Sequence, residues 1–563
     1  MIKIKTTSRY SEDDDLIKRV LINRGYDKDI INALLSTGYS NELPLYNDLT
    51  NVEIGADIIE SHIANGSSIY IFGDYDSDGV NSSYILGDAI NNIIYNTESN
   101  ATISIKLPER HEGYGLNYNW CKSIVENKDN DILVITVDNG IAQDKEVAYL
   151  LENDIDVLIT DHHQPNGHTP KNVFIIDAFH NNDSIDNKGL CGAGVAFKLA
   201  MTLLDRYDIE YRDDLYYRYL IHVAIATITD SMPMTLENIK YVYNGIQLLK
   251  DGYGSTAIDY YRTFNSNTDL VPKDIAFSLG PQINSCGRMN NTGLALDYLF
   301  ADEDDVEDLY IAIANTNDER KSKTKKAIEM ADEMVDYKLP GIAIQLSEVE
   351  GIAGIIASHL SDKYNKCTIV FSQANDVLIG SARSEGYINL LSLLKQIETE
   401  TNFIVKLGGH ANACGITIKK NKFEEFTKLF NDKLNRILLN KPVEEKTQIE
   451  IIVDDIITTA DINKDNCETL RPLYFFTESN PVFAVKDVTI TKVKYSGNNP
   501  NNVQFFISDK YGKFDFWSWG IGEQYKALGE PKLVTLIGEL DNKFGKPSFN
   551  VLNIIPKGEI VNE

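Results

Sequence analysis

The residues with the clearest capacity for chemistry are carboxylates and imidazoles that follow apolar runs. In IYIFGDYDSDGV, Ile69 to Phe72 precede Gly73 and then Asp74, Asp76 and Asp78 at every second position, closed by Gly79. Like charges this close repel, and a folded protein keeps them ionised when a cation sits among them. A solvated Asp/Gly turn is the alternative for this stretch alone. The pattern recurs, however: DILVITVDNG ends on Asp138, DVLITDHHQP on Asp161, His162 and His163, and VFIIDAFH on Asp177 and His180. VAIATITDSMP carries Asp230 after a stretch that reads as strand or helix. In an open α/β sheet the carboxyl ends of parallel strands line one crevice where ligands bind. These groups are therefore expected to converge from distant parts of the chain.

What must position them is a large, acidic, multi-domain chain. Its 563 residues are too many for one core and suggest roughly three or four domains. A net charge of −29 excludes a generally basic surface and confines any grip on nucleic acid to a local groove, because phosphate contacts are mostly electrostatic. Acidic stretches such as Asp302-Glu303-Asp304-Asp305 read as solvated faces. No window of about eighteen uncharged apolar residues predicts a membrane helix, and MIKIKTTSRYSEDDD has no apolar signal core. Cysteines without a CxxC pair point to a reducing, cytoplasmic compartment and against a zinc ribbon.

Periodicity divides the chain. Residues 1–65 read as a helical lead-in packing on the first sheet, with LIKRVLINRGY and KDIINALLSTGY apolar at spacings of three and four. From 66 to 300 strands alternate with helices, the pattern of βαβ units; within it LPERHEGYGL carries Arg110, which on its own reads as a surface ion-pair partner. Residues 301–338 form a polar connecting helix whose basic run Arg320 to Lys326 is a solvated face or the border of a polyanion channel. A second α/β unit occupies 339–442. Its Gly408-Gly409-His410 loop frees backbone N–H groups and presents an imidazole, which suits a phosphate, although an incidental turn reads equally well. Short strands over 447–558, with a hairpin at DKYGK, suggest a small OB-type barrel, a fold that commonly holds single strands. Phe505, Phe514, Phe516, Trp517 and Trp519 could stack bases there, and alternation turns about half of them outward.

The ordered set GDYDSDG, VDNG, DHH and TDSMP resembles the four metal-binding motifs of the DHH phosphoesterase superfamily. GPQINSCGRM, GIAGIIASHL, GSARS and GGHANACG resemble the later motifs of its RecJ-type single-stranded-DNA exonucleases, and NRGY and PERHEGYGL also fit them. The resemblance implies an α/β fold: a parallel-sheet DHH domain, a long helix, a second α/β DHH-associated domain, and a C-terminal OB-type β-barrel. It implies Asp76, Asp78, Asp138, His162 and Asp230 as ligands of two divalent ions, with Asp74 and His163 beside them as ligands or outer partners and Asp161 orienting the imidazoles. Asp138, Asp161, His162 and His163 form the catalytic set in that scheme. Arg110, Arg288, Ser381, Arg383 and His410 match positions that the family uses to hold DNA phosphates, with Gly408 and Gly409 letting that loop approach the backbone, while Arg320 of the basic run and Trp517 of the terminal barrel are expected substrate contacts read from the residues themselves. Oxygen-rich sites with imidazoles suit Mn2+ or Mg2+, and such a pair activates water directly, so no serine or cysteine nucleophile is required. The implied activity is 5′→3′ hydrolysis of single-stranded DNA to mononucleotides by a monomer, with no membrane association and with a single-strand-binding protein or helicase as protein partner.

Two rivals remain at the level of sequence. A relative acting on short oligoribonucleotides or cyclic dinucleotides is expected to be shorter and to lack the terminal barrel. A non-catalytic single-strand-binding scaffold is expected to have lost metal ligands, whereas every ligand position here retains Asp or His. Departures from the family pattern are small. RPLYFFTESNPVF keeps Asn480-Pro481 without the expected glycines, Thr229 replaces a small apolar residue, and Cys414 replaces a second alanine.

Overall fold

Runs of β-branched residues separated by amphipathic stretches become strands and helices in turn in a computed structural model of the chain. The structure describes residues 2–6, 15–26, 28–35, 45–128, 130–165, 167–265, 270–384, 388–439, 449–471, 473, 480–497, 499–543 and 546–557. Most of the RPLYFFTESNPVF stretch lies outside them. A first short strand, β1 (Ile2–Lys5), pairs far along the chain. The first sheet then comprises β2 (Ser68–Phe72), β3 (Thr102–Lys106), β4 (Ile132–Val137), β5 (Asp156–Thr160) and β6 (Phe174–Ile176). All of its pairings are parallel and its order is β3-β2-β4-β5-β6. The chain leaves β2 in one direction for β3 and returns on the other side for β4. The order therefore reverses between β2 and β4, which opens a crevice at their carboxyl ends.

Helices cover this sheet on both faces, as a parallel sheet requires. Gly192–Leu204 is buried over its whole length, which explains why its sequence lacks a polar stripe, and Ser77–Thr97 is buried over most of its own. The apolar run before Asp230 is the helix Arg212–Thr229 and not a strand. Eighteen residues without Gly or Pro exceed an ordinary strand, and burial on all sides hides the helical period.

The helix Val306–Glu333 leads to a second sheet of β7 (Ile342–Leu346), β8 (Thr368–Ala374), β9 (Val377–Arg383), β10 (Ile404–Gly409) and β11 (Ala413–Lys419), ordered β10-β11-β9-β8-β7. Only β7 and β8 run parallel. Alternation on β9 buries Leu378, Gly380 and Ala382 and turns Ile379, Ser381 and Arg383 to the other face.

The C-terminal unit holds β12 (Ile449–Ile452), β13 (Asp455–Ile457), β14 (Val482–Tyr495), β15 (Val503–Ser508), β16 (Lys513–Ser518), β17 (Leu533–Lys543) and β18 (Lys546–Pro556). Its curled sheet runs β16-β15-β14-β17-β18, with β13 on β14. The expected barrel is not closed by a ladder among the described residues. Ser518 bridges the gap instead: its hydroxyl accepts from Val551 N at 2.9 Å and donates to Val551 O at 3.2 Å.

The lead-in divides between two units. Val52–Ala64 lies against the first sheet, whereas the expectation fails for its earlier part, because β1 pairs in parallel with β12 and Leu16–Asn23 packs on the C-terminal unit. A four-residue IKIK run carries too little pattern to announce a partner this distant. Arg24 donates from Nε and Nη2 to the two carboxylate oxygens of Asp454 at 2.6 and 2.8 Å, Asn23 donates to Asp454 O, and Arg19 pairs with buried Asp455 at 3.2 Å. Asp454 also accepts from Val482 N at 2.7 Å. Asp454→Ala leaves Arg24 and Val482 N without that carboxylate, so it is expected to cost about 3 kcal/mol locally. Limited proteolysis should then release the first two dozen residues early; cleavage at the wild-type rate would contradict the clasp.

Candidate metal centre

Each acidic group sits where a strand or helix ends at the crevice. Asp74 follows β2, and Asp76 caps the helix Ser77–Thr97, its carboxylate accepting from Asp78 N and Gly79 N at 3.1 Å each. Asp78, in the first turn, accepts from Gly192 N (2.6 Å) and Ala193 N (2.8 Å), the free N–H groups that open the helix Gly192–Leu204. Asp138 follows β4 in a left-handed conformation (φ 60°) that a side chain adopts only when its surroundings demand it. The next residue holds the bend, Asn139 donating from Nδ2 to Phe72 O and Val137 O at 3.1 and 2.9 Å. A β-carbon at Gly192 would lie 2.6 Å from that of Asp138, so this close approach requires glycine. Asp230 follows the last turn of Arg212–Thr229.

Three groups of donor atoms, each mutually within 4.8 Å, result: Asp74, Asp76 and Asp138; Asp78, His162 and Asp230; and Asp138, His162 and His163. His162 Nε2 lies 3.1 Å from Asp138 and 3.5 Å from Asp78. Asp138 Oδ1 is buried without a hydrogen-bond partner. Asp161 is different. Its carboxylate accepts from Ile141 N, His162 N, His163 N and the His163 ring, the last at 2.8 Å, so it orients His163 through the ring and His162 only through the backbone. Asp177 and His180, read on the same rim, join none of the three groups. Asp177 caps a single short turn, and burial pushes its carboxyl up to about 7.

The electrostatics are those of a site built for cations. Burial, then the Asp78, Asp76, Asp74 and Asp230 charges, raise the Asp138 carboxyl well above the carboxylate range. Burial and Asp76 do the same to Asp74, burial and Asp78 raise Asp76, and burial with Asp78 and Asp76 lifts Asp230 to about 8. Burial holds the His162 imidazole below its usual value, which keeps it neutral, as a ligand must be. For His163 burial is outweighed by the Asp161 hydrogen bond and charge, and the ring rises to about 9. Buried carboxylates that repel, an orphaned oxygen and a neutral imidazole fit divalent ions bound by oxygen and nitrogen.

A second cluster, of opposite sign, adjoins the first. Arg110 lies over the Tyr75 ring, 4.2 Å from its centre. Burial, then the Arg110 and Arg320 charges, push Arg288 down to about 10. Arg288 donates to Gly351 O at 3.2 Å, at the turn before the helix Ala353–Tyr364. Across the same turn, Ser381 Oγ and Arg383 Nη2 each lie 3.1 Å from where a side chain at Gly354 would begin. Gly408 belongs to β10, opposite Gly415, which in turn faces Ser381. His410 is exposed at the hairpin beyond Gly409. Trp517 is exposed on the outer face of the C-terminal sheet and stacks with Trp519, ring centres 6.3 Å apart, whereas Phe505 and Phe516 are core.

Sequence reasoning missed Asn284, whose Oδ1 accepts from Ser77 N at 2.8 Å, Tyr114, whose hydroxyl lies 3.2 Å from His163 Nε2, and the Gly192 N-terminus. Only the small-residue run CGAG hinted at the last.

Fold and site together define a protein of two α/β units and a C-terminal β-sheet unit, with a carboxylate–imidazole pocket for cations at a topological switch point. The chain matches the DHH family, N-terminal domain over residues 68–227, the DHHA1 domain over 341–436 and the RecJ OB domain over 453–547. It is 27% identical over 551 residues to the single-stranded-DNA-specific exonuclease RecJ of Bacillus subtilis, covering 96% of this chain and 67% of that protein. It is 27% identical to the protein of the same name from Haemophilus influenzae, over 83% of each. A crystal structure of exonuclease RecJ bound to manganese is 25% identical, with a TM-score of 0.59 over 70% of this chain and 97% of that one. RecJ from Thermus thermophilus in complex with Mn2+, 20% identical, shares the fold with a TM-score of 0.76 over 98% of this chain and 79% of that one. The chain belongs to the RecJ-type members of the DHH family.

A carboxyl whose folded pKa is raised binds a proton that the unfolded chain releases at lower pH, so folding weakens as pH climbs between the two values. The cation-free protein is therefore expected to lose stability from about pH 4 toward the Asp230 value of about 8. Asp138→Asn, which removes one of the repelling charges, should raise the melting temperature of the cation-free protein at pH 8 and abolish the increase that Mn2+ gives the wild type. Differential scanning fluorimetry with chelator and with Mn2+ measures both, and a melting temperature indifferent to Asp138→Asn would contradict the charge assignment.

Proposed function

We propose that the chain is a divalent-cation-dependent exonuclease that hydrolyses single-stranded DNA from its 5′ end to mononucleotides. The observation that carries this reading is the junction of two clusters of opposite sign: buried carboxylates that call for cations beside guanidiniums that call for a polyanion. Its relatives named as single-stranded-DNA-specific exonucleases support the same reading.

Asp74, Asp76, Asp78, Asp138, His162 and Asp230 would hold two ions, Mn2+ or Mg2+. Such a pair supplies an activated water and neutralises charge developing on the phosphodiester. The chain's own residues do the rest. Gly192 N and Ala193 N fix the Asp78 carboxylate, so the ligand is set before substrate arrives. Asp161 fixes the His163 ring through Nδ1, and because that ring is raised to about 9 it is an imidazolium that also carries a proton on Nε2, at the pocket's edge beside Tyr114. Arg110, Arg288 and Arg320 line one side of the path for phosphates. Ser381, Arg383, Gly408, Gly409 and His410 offer the other, with the N-terminus of Ala353–Tyr364 between them.

On the C-terminal unit, Trp517 and Trp519 form a stacking platform, and Phe506 on the same face lies 5.5 and 5.4 Å from the ammonium groups of Lys492 and Lys494. Aromatic rings interleaved with lysines suit bases and backbone of a single strand. In this reading the strand is delivered in the cytoplasm, by a helicase or single-strand-binding protein, where the six buried, unpaired cysteines stay reduced.

A time course of end-labelled single strands, with Mn2+ and with chelator, tests the activity. Shortening from the 5′ end that stops with chelator is expected, and Asp138→Ala should remove it while circular dichroism stays unchanged. Cleavage confined to dinucleotides, or persistence in Asp138→Ala, would overturn the assignment. Replacing Trp517 and Trp519 together by Ala should weaken binding of long strands by about 10-fold or more, in line with about 1–3 kcal/mol per stacked base, and leave cleavage of short ones nearly unchanged. Equal losses on both lengths would make the platform structural.

A further inference from the structure

The proposed function assigns no role to a buried polar chain that crosses from the helix carrying Asp78 to the helix ending at Asp230. His222 lies in the middle of Arg212–Thr229 with its side chain wholly inside the protein. Its Nδ1 is 2.7 Å from Asn81 Oδ1, and its Nε2 is 3.4 Å from Ser255 Oγ. The Tyr84 ring covers one face of the imidazole, centre to centre 4.3 Å.

Bond directions follow from chemistry. Asn81 Nδ2 donates to Ser77 O at 2.6 Å, so the amide nitrogen is spent and Oδ1 accepts. His222 must then carry its proton on Nδ1, and Nε2 accepts from the Ser255 hydroxyl. Burial, with the Arg218 charge, pushes the imidazole down to about 3, so it stays neutral in this tautomer.

Ser77 stands between Asp76 and Asp78. Its N–H is held by Asn284 Oδ1 at 2.8 Å and its carbonyl by Asn81, so both of its own peptide groups are pinned, the second through His222. Along the other helix, His222 precedes Asp230 by eight residues, two turns or about 12 Å. A bond between two rigid helices at their crossing thus sets how far Asp78 stands from Asp230, two members of one cation group.

We infer that His222 is a positioning residue for the cation site, acting through Asn81 to fix the separation of Asp78 and Asp230. This rests on the cation-dependent function proposed above. A core histidine that only fills space would be replaceable by an apolar residue of similar volume; a positioning residue would not, because the pocket is defined by bond length and not by volume.

The test is Mn2+ binding by the full chain without DNA, read by calorimetry or by loss of the free-ion paramagnetic resonance signal. Wild-type protein that binds no Mn2+ would overturn the proposed function, and this inference with it. If the wild type binds, His222→Leu, folded by near-ultraviolet circular dichroism, is expected to bind about 10-fold more weakly or worse, as loss of an outer partner does at other metal sites. His222→Gln, whose amide can donate to Asn81, should recover most of the affinity. Wild-type affinity in His222→Leu overturns the inference alone, and so does a His222→Gln loss as large as that of His222→Leu, which would signal packing. Should His222→Leu not fold, Asn81→Thr breaks the same bond from the other helix, with the same loss expected and the same overturning result.

Discussion

The structure depends on keeping like charges buried side by side. Asp74, Asp76, Asp78 and Asp138 lie at the carboxyl ends of β2 and β4, where burial, and after it their mutual repulsion, drives three of these carboxyls upward. Part of that cost is offset by the fold. The N–H groups at the start of Ser77–Thr97 face Asp76, and those at the start of Gly192–Leu204 face Asp78. The remainder is left for ions. Beside the carboxylates the guanidiniums of Arg110, Arg288 and Arg320 crowd in the same way, and a polyanion relieves them. In the function proposed above, a strand of DNA with its cations would satisfy both clusters together, which neither does for itself.

Such a site needs a stiff frame, because charges free to move apart would do so. The frame consists of bonds that restrain backbone near the ligands: Asn139 across β2 and β4, Asn284 on Ser77 N, and Asn81 on Ser77 O. Close approaches at Gly192 and Gly287 complete it, since a β-carbon at Gly287 would lie 2.1 Å from Tyr75 O. These neutral amides add no charge to a pocket already crowded with it. They also explain how Asp138 is held at a positive φ.

The acidity of the chain fits this division. With a net charge of −29, its attraction for nucleic acid cannot be a general property of the surface. In the proposed function it is concentrated where the helix Val306–Glu333, the turn at Gly351 and the outer face of β9 would bring arginines together, and again where Lys492 and Lys494 flank Phe506. The C-terminal unit is not a loose appendage, because β1 and Arg24 tie it to the beginning of the chain and its core runs on into that of the first unit.

The acidic strand ends, the βαβ alternation and the order of the motifs were legible in the sequence, since each is a local pattern and the rule that parallel strand ends share a crevice makes them converge. Exposure of Trp517 against burial of Phe516 was legible only as an alternation without a phase. Other features needed the tertiary structure. Asp230 follows a helix whose burial erases its period, and Asn81, His222 and Asn284 are ordinary polar residues until distant segments bring them within hydrogen-bond reach. The β1–β12 pairing joins residues some 447 positions apart, Ile2 to Ile449, with too few residues for a periodic signal. Residue type and spacing along the chain thus determined which groups could bind cations and phosphates. Which of them meet, at what distance and in what protonation state was decided by packing, because hydrogen bonds and desolvation depend on neighbours in space and not in sequence.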